Sequence, residues 1–280
     1  MPAPREGSAV PSAAATAAAV AGREKDGTLL GVSGLAVRFG GIVALDDVSF
    51  DVEEGEICGL IGPNGAGKTT LFNCLSRLYR PQRGDIRFAG RSLLDCPAHR
   101  IAALGIGRTF QSPALFDSMT VLDNVMVGAH ARGTGTILAD ALALPAARHD
   151  ERALGETARG MLAAVGLAAI AEQPVASQPF GTRKRIELAR ALASHPRLLL
   201  LDEPAGGLNH EEVAELATLI RQIRDRFTVT VLLVEHHMGF VMGLSDKVVA
   251  LNFGRVIAQG TPDEVRNDAE VGHAYLGLGS

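Results

Sequence analysis

Tryptophan is absent from the 280-residue chain, tyrosine occurs twice and phenylalanine ten times. So thin an aromatic content leaves little on which successive bases could stack, which argues against a single-strand binding platform. Basic residues are not in excess either. The 27 Lys and Arg face 31 Asp and Glu, a formal charge of -4, so the electrostatic footprint of a nucleic-acid binder is missing. Cysteine is limited to Cys58, Cys74 and Cys96, with neither a C-x-x-C pair nor metal-ligand spacing, which points to reduced thiols in a cytosolic setting. Hydrophobic residues make up 47% of the chain, yet no window reaches the ~20 consecutive apolar residues of a membrane helix. What remains is an ordinary globular composition, long enough for one large domain or two smaller ones.

Residues 1–27 are rich in Ala, Pro, Gly and Ser. The stretch is expected to be a disordered tail, since a secretory signal would need Leu, Ile or Phe in its apolar region. From Leu29 onward, Val32, Leu35 and Val37, then Val43 and Leu45, then Val48, Phe50 and Val52 predict short strands of a mainly antiparallel sheet. Ile57–Ile61 predicts a buried strand, and Ile86 and Phe88 a further hairpin. Between Gln111 and Ser177 the apolar spacing turns helical, interrupted at Gly133–Gly135 and Pro145, as expected of an inserted helical subdomain. Beyond it come a helix at 186–193, a buried strand at 198–201, a helix at 211–226 and a buried strand at 229–234. Such alternation argues a parallel α/β core.

Gly62-Pro63-Asn64-Gly65-Ala66-Gly67-Lys68-Thr69 fits G-x-x-x-x-G-K-[ST], with Thr70 next, between a predicted strand and a predicted helix. Glycines allow backbone N–H groups to turn toward a β-phosphate, and the helix N-terminus adds partial positive charge. Lys68 is placed to reach the β/γ-phosphates and the Thr69 hydroxyl to ligate Mg²⁺. Kinases, GTPases, helicases and transport ATPases all share this loop. Four leucines then lead into Asp202-Glu203-Pro204, at the carboxyl end of a strand where open α/β sheets bind ligands. Asp202 suits Mg²⁺, and Glu203 suits a general base for an attacking water. The next strand ends in Glu235-His236-His237. His236 is read as a sensor of the γ-phosphate and His237 as its neighbour.

Taken in order, Phe39, the loop 62–69, Arg108-Thr109-Phe110-Gln111, residues 178–182, Leu198–Pro204, Gly206–Asn209 and Glu235-His236 resemble the ATP-binding subunits of ABC transporters, over nearly all of 29–280. The resemblance implies an α/β fold: a P-loop NTPase (RecA-like) core with an antiparallel β subdomain and an inserted α-helical subdomain. It places the nucleotide-binding domain at 28–260, its helical subdomain at 112–176 and a C-terminal tail of the cassette at 261–280. It implies ATP and Mg²⁺, with Phe39 stacking on adenine and Gly62, Asn64, Gly65, Ala66, Gly67, Lys68, Thr69 and Thr70 around the phosphates. Thr69, Gln111 and Asp202 would meet the metal, and Glu203 and His236 would be catalytic.

The signature departs from the family. L-S-G-G-Q is here Gln178-Pro179-Phe180-Gly181-Thr182, so the serine hydroxyl is missing while Gly181 survives. Pro179 suits a helix start, and Arg183, Lys184 and Arg185 follow, which leaves some phosphate affinity to be expected. The family packs two cassettes head to tail, so one cassette per chain implies a second ATPase subunit, identical or different. Two transmembrane permease subunits and, through them, a periplasmic-type binding protein are implied too, with this chain peripheral on the cytoplasmic face of the membrane. Arg108–Gln111 followed by L-F-D-S-M-T-V-L-D-N-V, the G-T-P-D-E-V end and Ala274-Tyr275-Leu276-Gly277 look like the LivG-type ATPases of branched-chain amino acid importers. Other readings stand beside this one: uptake of urea, short amides or aromatic acids, lipid or lipopolysaccharide export, a non-transport ABC ATPase, and a soluble P-loop kinase.

Overall fold

The computed structural model describes residues 27–130 and 145–276. The Ala-rich stretch 1–26, the Gly133–Gly135 break and the last four residues lie outside the described residues. Two strands open the described residues, β1 (Thr28–Phe39) and β2 (Ile42–Glu53), paired antiparallel about Gly40-Gly41. Three or more short strands were predicted here; the structure has two of 12 residues each. Their pairing shifts register four times, between Thr28 and Leu30 and again at three points from Val32 to Arg38. Each shift interrupts the period-two alternation without ending the strand, which is why the pattern looked like separate pieces.

The central strand β3 (Ile57–Ile61) runs into helix α1 (Lys68–Leu75), and β4 (Arg83–Phe88) with β5 (Arg91–Ser92) completes a four-stranded sheet ordered β2-β1-β4-β5. Then come β6 (Ile106–Arg108), α2 (Val121–Ala129), α3 (Pro145–Ala164) and α4 (Phe180–Leu192). Thr120 and Asp123 form a reciprocal capping box at the start of α2. The chain closes with β7 (Leu198–Asp202), α5 (His210–Phe227), β8 (Thr230–Val234), α6 (Met238–Leu244), β9 (Lys247–Asn252), β10 (Arg255–Gly260), α7 (Pro262–Arg266) and α8 (Ala269–Leu276).

These strands form a six-stranded sheet in the order β10-β9-β3-β8-β7-β6, parallel throughout except for β10. Its central strands are apolar except at their ends, Thr230 opening β8 and Asp202 closing β7, because both faces are covered. Cys58, Leu60, Leu198, Leu200, Leu232 and Val234 face one core, shared with β1, β2 and α1. Ile57, Ile61, Leu199, Leu201, Val231 and Leu233 face the other, shared with α2 to α5. The mixed architecture is the one expected from the sequence, and it sets the carboxyl ends of β3, β6, β7 and β8 along one edge.

Since Leu199 and Leu233 are fully buried, replacing either by Ala should cost about 2–5 kcal/mol of unfolding free energy, read as a lower urea midpoint at unchanged slope. Ile42 is 72% exposed, and Ile42→Ala should stay within about 0.5 kcal/mol of the parent.

Candidate functional site

The loop between β3 and α1 is shaped by two glycines that no other residue replaces. Gly67 caps α1 at φ 104°, and a Cβ there would stand 2.5 Å from Ala44 O. Gly62 has φ 154°, and a Cβ would meet Leu251 O at 2.3 Å. The first intrahelical bond is Leu71 N–H to Gly67 O, 2.9 Å, so the N–H groups of Lys68, Thr69 and Thr70 point out of the helix start without an acceptor in the helix. Lys68 curls over them. Its Nζ donates to Gly62 O at 2.6 Å and to Pro63 O at 3.0 Å, and burial lowers its pKa, with Glu203 acting in the opposite direction. Thr69 and Asn64 are exposed beside it. A turn of N–H donors, a helix N-terminus and one buried ammonium can bind a polyphosphate.

Asp202 ends β7, and Glu203 follows it on the same edge. Asp202 is buried, and its Oδ2 accepts from Arg108 Nη2 at 2.9 Å, both side chains being about nine-tenths covered. The same guanidinium donates through Nη1 to Phe72 O, Asn73 Oδ1 and Ser76 Oγ at the end of α1. Glu203 adopts φ 46°, the left-handed region that a glutamate enters only when its surroundings hold it there. Its Oε2 accepts from Gln111 Nε2 at 2.9 Å and stands 3.9 Å from His236 Nδ1. The structure thus brings Gln111, Glu203 and His236 together.

Beneath His236 lies Glu235, which has no exposed surface and to which the sequence pattern gave a place but no role. Its Oε1 accepts from Ala205 N–H at 2.7 Å and its Oε2 from His236 N–H at 3.0 Å, so one carboxylate shapes the turns after both β7 and β8. His237 is more than a neighbour: its Nδ1 accepts from Phe240 N–H and caps α6.

Two predicted residues stand apart from this cluster. Phe39 ends β1 half-exposed, with Tyr79 edge-on at 5.2 Å between ring centres, a partner the sequence reading did not name. Gly181 lies in the first turn of α4 beside the Glu212 carboxylate and Leu208. Pro179 occupies the N-cap position and offers no side-chain bond there. The three basic residues after Thr182, from which the sequence suggested some phosphate affinity, are engaged within this chain. Arg183 pairs with Asp117, Arg185 with Glu215, and Lys184 turns inward to main-chain carbonyls. Arg108, Lys184 and Glu235 stood in or beside the motifs, but the sequence assigned them none of these partners.

Comparison with known proteins agrees with this geometry. A family model described as "ABC transporter" matches residues 45–206, and one described as "Branched-chain amino acid ATP-binding cassette transporter" matches 255–278. The chain is similar to the high-affinity branched-chain amino acid transport ATP-binding protein BraF of Pseudomonas aeruginosa, 44% identical over 89% of this chain and 98% of the relative. The corresponding LivG protein of Salmonella typhimurium is 43% identical over the same shares. A lipopolysaccharide export ATP-binding protein, LptB of Acidithiobacillus ferridurans, is 35% identical over 84% of this chain and 91% of the relative. Among solved structures, the ADP conformation of an ATP-binding cassette of an ABC transporter superposes with a TM-score of 0.78 at 27% identity, covering 89% of this chain and 99% of that one. A phosphate loop, two strand-end carboxylates and a coupled Gln–Glu–His cluster on a doubly covered parallel sheet, in a chain with full-length relatives of this kind, make it a member of the ABC transporter family, an ATPase built as an ATP-binding cassette.

Proposed function

We propose that the chain is the ATP-hydrolysing subunit of an importer for branched-chain or related amino acids. It works as a dimer with a second ATPase, peripheral on the cytoplasmic face of the membrane, beneath two permease subunits that a periplasmic-type binding protein supplies with cargo. The observation that carries the reading is similarity to branched-chain transport ATPases along nearly the whole of those relatives, continued into the C-terminal segment 255–278. The exporter relative is less similar. No helix among the described residues is long and apolar enough to cross a membrane, so the permeases provide the path. Phe110 and Phe116, both exposed beside Gln111 and the helical layer, offer them an apolar contact.

In this reading Lys68 exchanges the carbonyls of Gly62 and Pro63 for the β- and γ-phosphates, and the N–H groups at the start of α1 hold the phosphate oxygens. Phe39, with Tyr79 at its edge, presents a ring face to the base. Glu203 takes the proton of the attacking water, Gln111 orients both, and His236 holds the γ-phosphate side. The residues at hand fit a hard divalent cation: the Thr69 hydroxyl, the Asp202 carboxylate and the Gln111 side-chain carbonyl are all oxygen donors. No group of three or more His, Cys, Asp or Glu among the described residues could hold a metal alone, so nucleotide phosphates would complete the set. Mg²⁺ bound there would neutralise phosphate charge.

The signature turn of this chain lacks a serine hydroxyl, and its basic neighbours are already paired. With a different partner ATPase the two nucleotide sites are therefore unequal, and the one built on this chain's Lys68 and Glu203 is the faster. Glu203→Gln should lower turnover of the assembled complex by roughly 100-fold or more while nucleotide still binds, because a general base contributes 10²–10⁴. Unchanged turnover would sink both the role of Glu203 and the inequality. Lys68→Ala should abolish binding of a fluorescent ATP analogue. The complex pulled from native membranes should contain two permeases and a second ATPase, whereas recovery of ribosomes or DNA instead would overturn the transport reading.

A further inference from the structure

The phosphate-site reading leaves Lys184 without a task, although few charged groups in the chain are more deeply held. It sits three positions after Gly181 in α4, only 7% exposed. Its Nζ donates to the main-chain carbonyls of Gln111, at 2.8 Å, and Glu203, at 3.0 Å. The same atom lies 5.6 Å from the centre of the Phe180 ring. Burial lowers the pKa of this lysine, while Glu187, Glu235, Glu203 and Asp202 raise it. A buried ammonium persists only where its protons are answered, and two carbonyls and an aromatic face answer these.

The contacts tie three segments that are remote in sequence. Phe180 begins α4, and its ring lies against Gly207, where a Cβ would come within 2.8 Å of it. Glu203 follows β7, and Gln111 follows β6 on the way to the helical layer. The side chains of these last two residues meet each other as well, Gln111 Nε2 to Glu203 Oε2. One ammonium therefore joins the signature turn to the backbone of both residues that face the water in this chain's own site. Glu203 needs such a hold, because its left-handed backbone is not one a glutamate adopts freely.

We propose that Lys184 is a positioning residue that couples the two nucleotide sites of the dimer: when the partner's nucleotide engages the Phe180–Thr182 turn, Lys184 carries the shift to the backbone of Gln111 and Glu203. The proposal rests on the dimer of the preceding section, packed head to tail as the family resemblance implies. A displacement of about 1 Å at reacting groups costs up to roughly 100-fold in rate, so a short rigid link is sufficient.

The test compares Lys184→Met, Lys184→Gln and Lys184→Arg in the assembled transporter complex. Turnover, half-saturating ATP and Hill coefficient are measured, with binding of a fluorescent ATP analogue and thermal unfolding followed on each variant. Lys184→Met should lower kcat by roughly 10- to 100-fold and abolish cooperativity, with analogue binding and melting temperature unchanged. Lys184→Arg, which still donates to two carbonyls, should restore a large part of both, and Lys184→Gln less. Wild-type kcat and cooperativity in Lys184→Met and Lys184→Gln would overturn the proposal. So would parallel loss of analogue binding and melting temperature in all three variants, which marks a merely structural role. A wild-type complex that contains one cassette, or shows no cooperativity at all, would remove the dimer reading and the proposal with it.

Discussion

A parallel sheet buried on both faces admits polar groups at its strand ends and almost nowhere else. In this chain that constraint organises everything functional. Strands β3, β7 and β8 carry no exposed residue, so each can offer chemistry only after its last apolar position. Because the strands run parallel, those ends fall on one edge: the phosphate loop after β3, Asp202 at the end of β7 with Glu203 next, Glu235 and His236 after β8. Proximity of residues far apart in sequence follows from strand direction, and no single loop has to be long to achieve it.

The same burial makes charge costly at that edge, and the structure answers each charge with a specific partner. Arg108 meets Asp202 and, through its other nitrogen, the end of α1. Glu235 receives main-chain N–H groups from two turns. Lys68 and Lys184 lie on carbonyl oxygens. Removing Arg108 from its pair with Asp202 leaves a buried charge unanswered, a larger effect than the net worth of the pair. The edge is accordingly stiff in the backbone and poised in its side chains: Lys68 is held by its own loop, and Gln111 by the carboxylate it would help.

Local motifs made much of this legible before the fold. The glycines and lysine of 62–68 prescribe a turn and a helix start through backbone sterics alone, and the four leucines before Asp202 announce a strand buried on both sides. The antiparallel strands were harder, since bulges in β1 erase the alternation that sequence reasoning counts. Among the site residues, Glu203 and His236 could be named from their position after strands. The role of Glu235, which stands beside His236, could not be read, because its work is done through main-chain N–H groups that carry no sequence label. Phe39 was visible as a lone aromatic, and its neighbour Tyr79 was not.

The sequence by itself determined which chemical groups are available and the short-range geometry of each: a phosphate-binding turn, a pair of acidic residues at a strand end, a signature without its serine. Local backbone conformation and apolar periodicity suffice for that. Only the tertiary structure decided which buried charge answers which, joining Arg108 to Asp202 across 94 positions and Lys184 to Gln111 across 73. The central strands are alike in apolarity, so pattern alone leaves their order open. The order of strands in the sheet, and with it the identity of every long-range partner, is settled when both faces are covered.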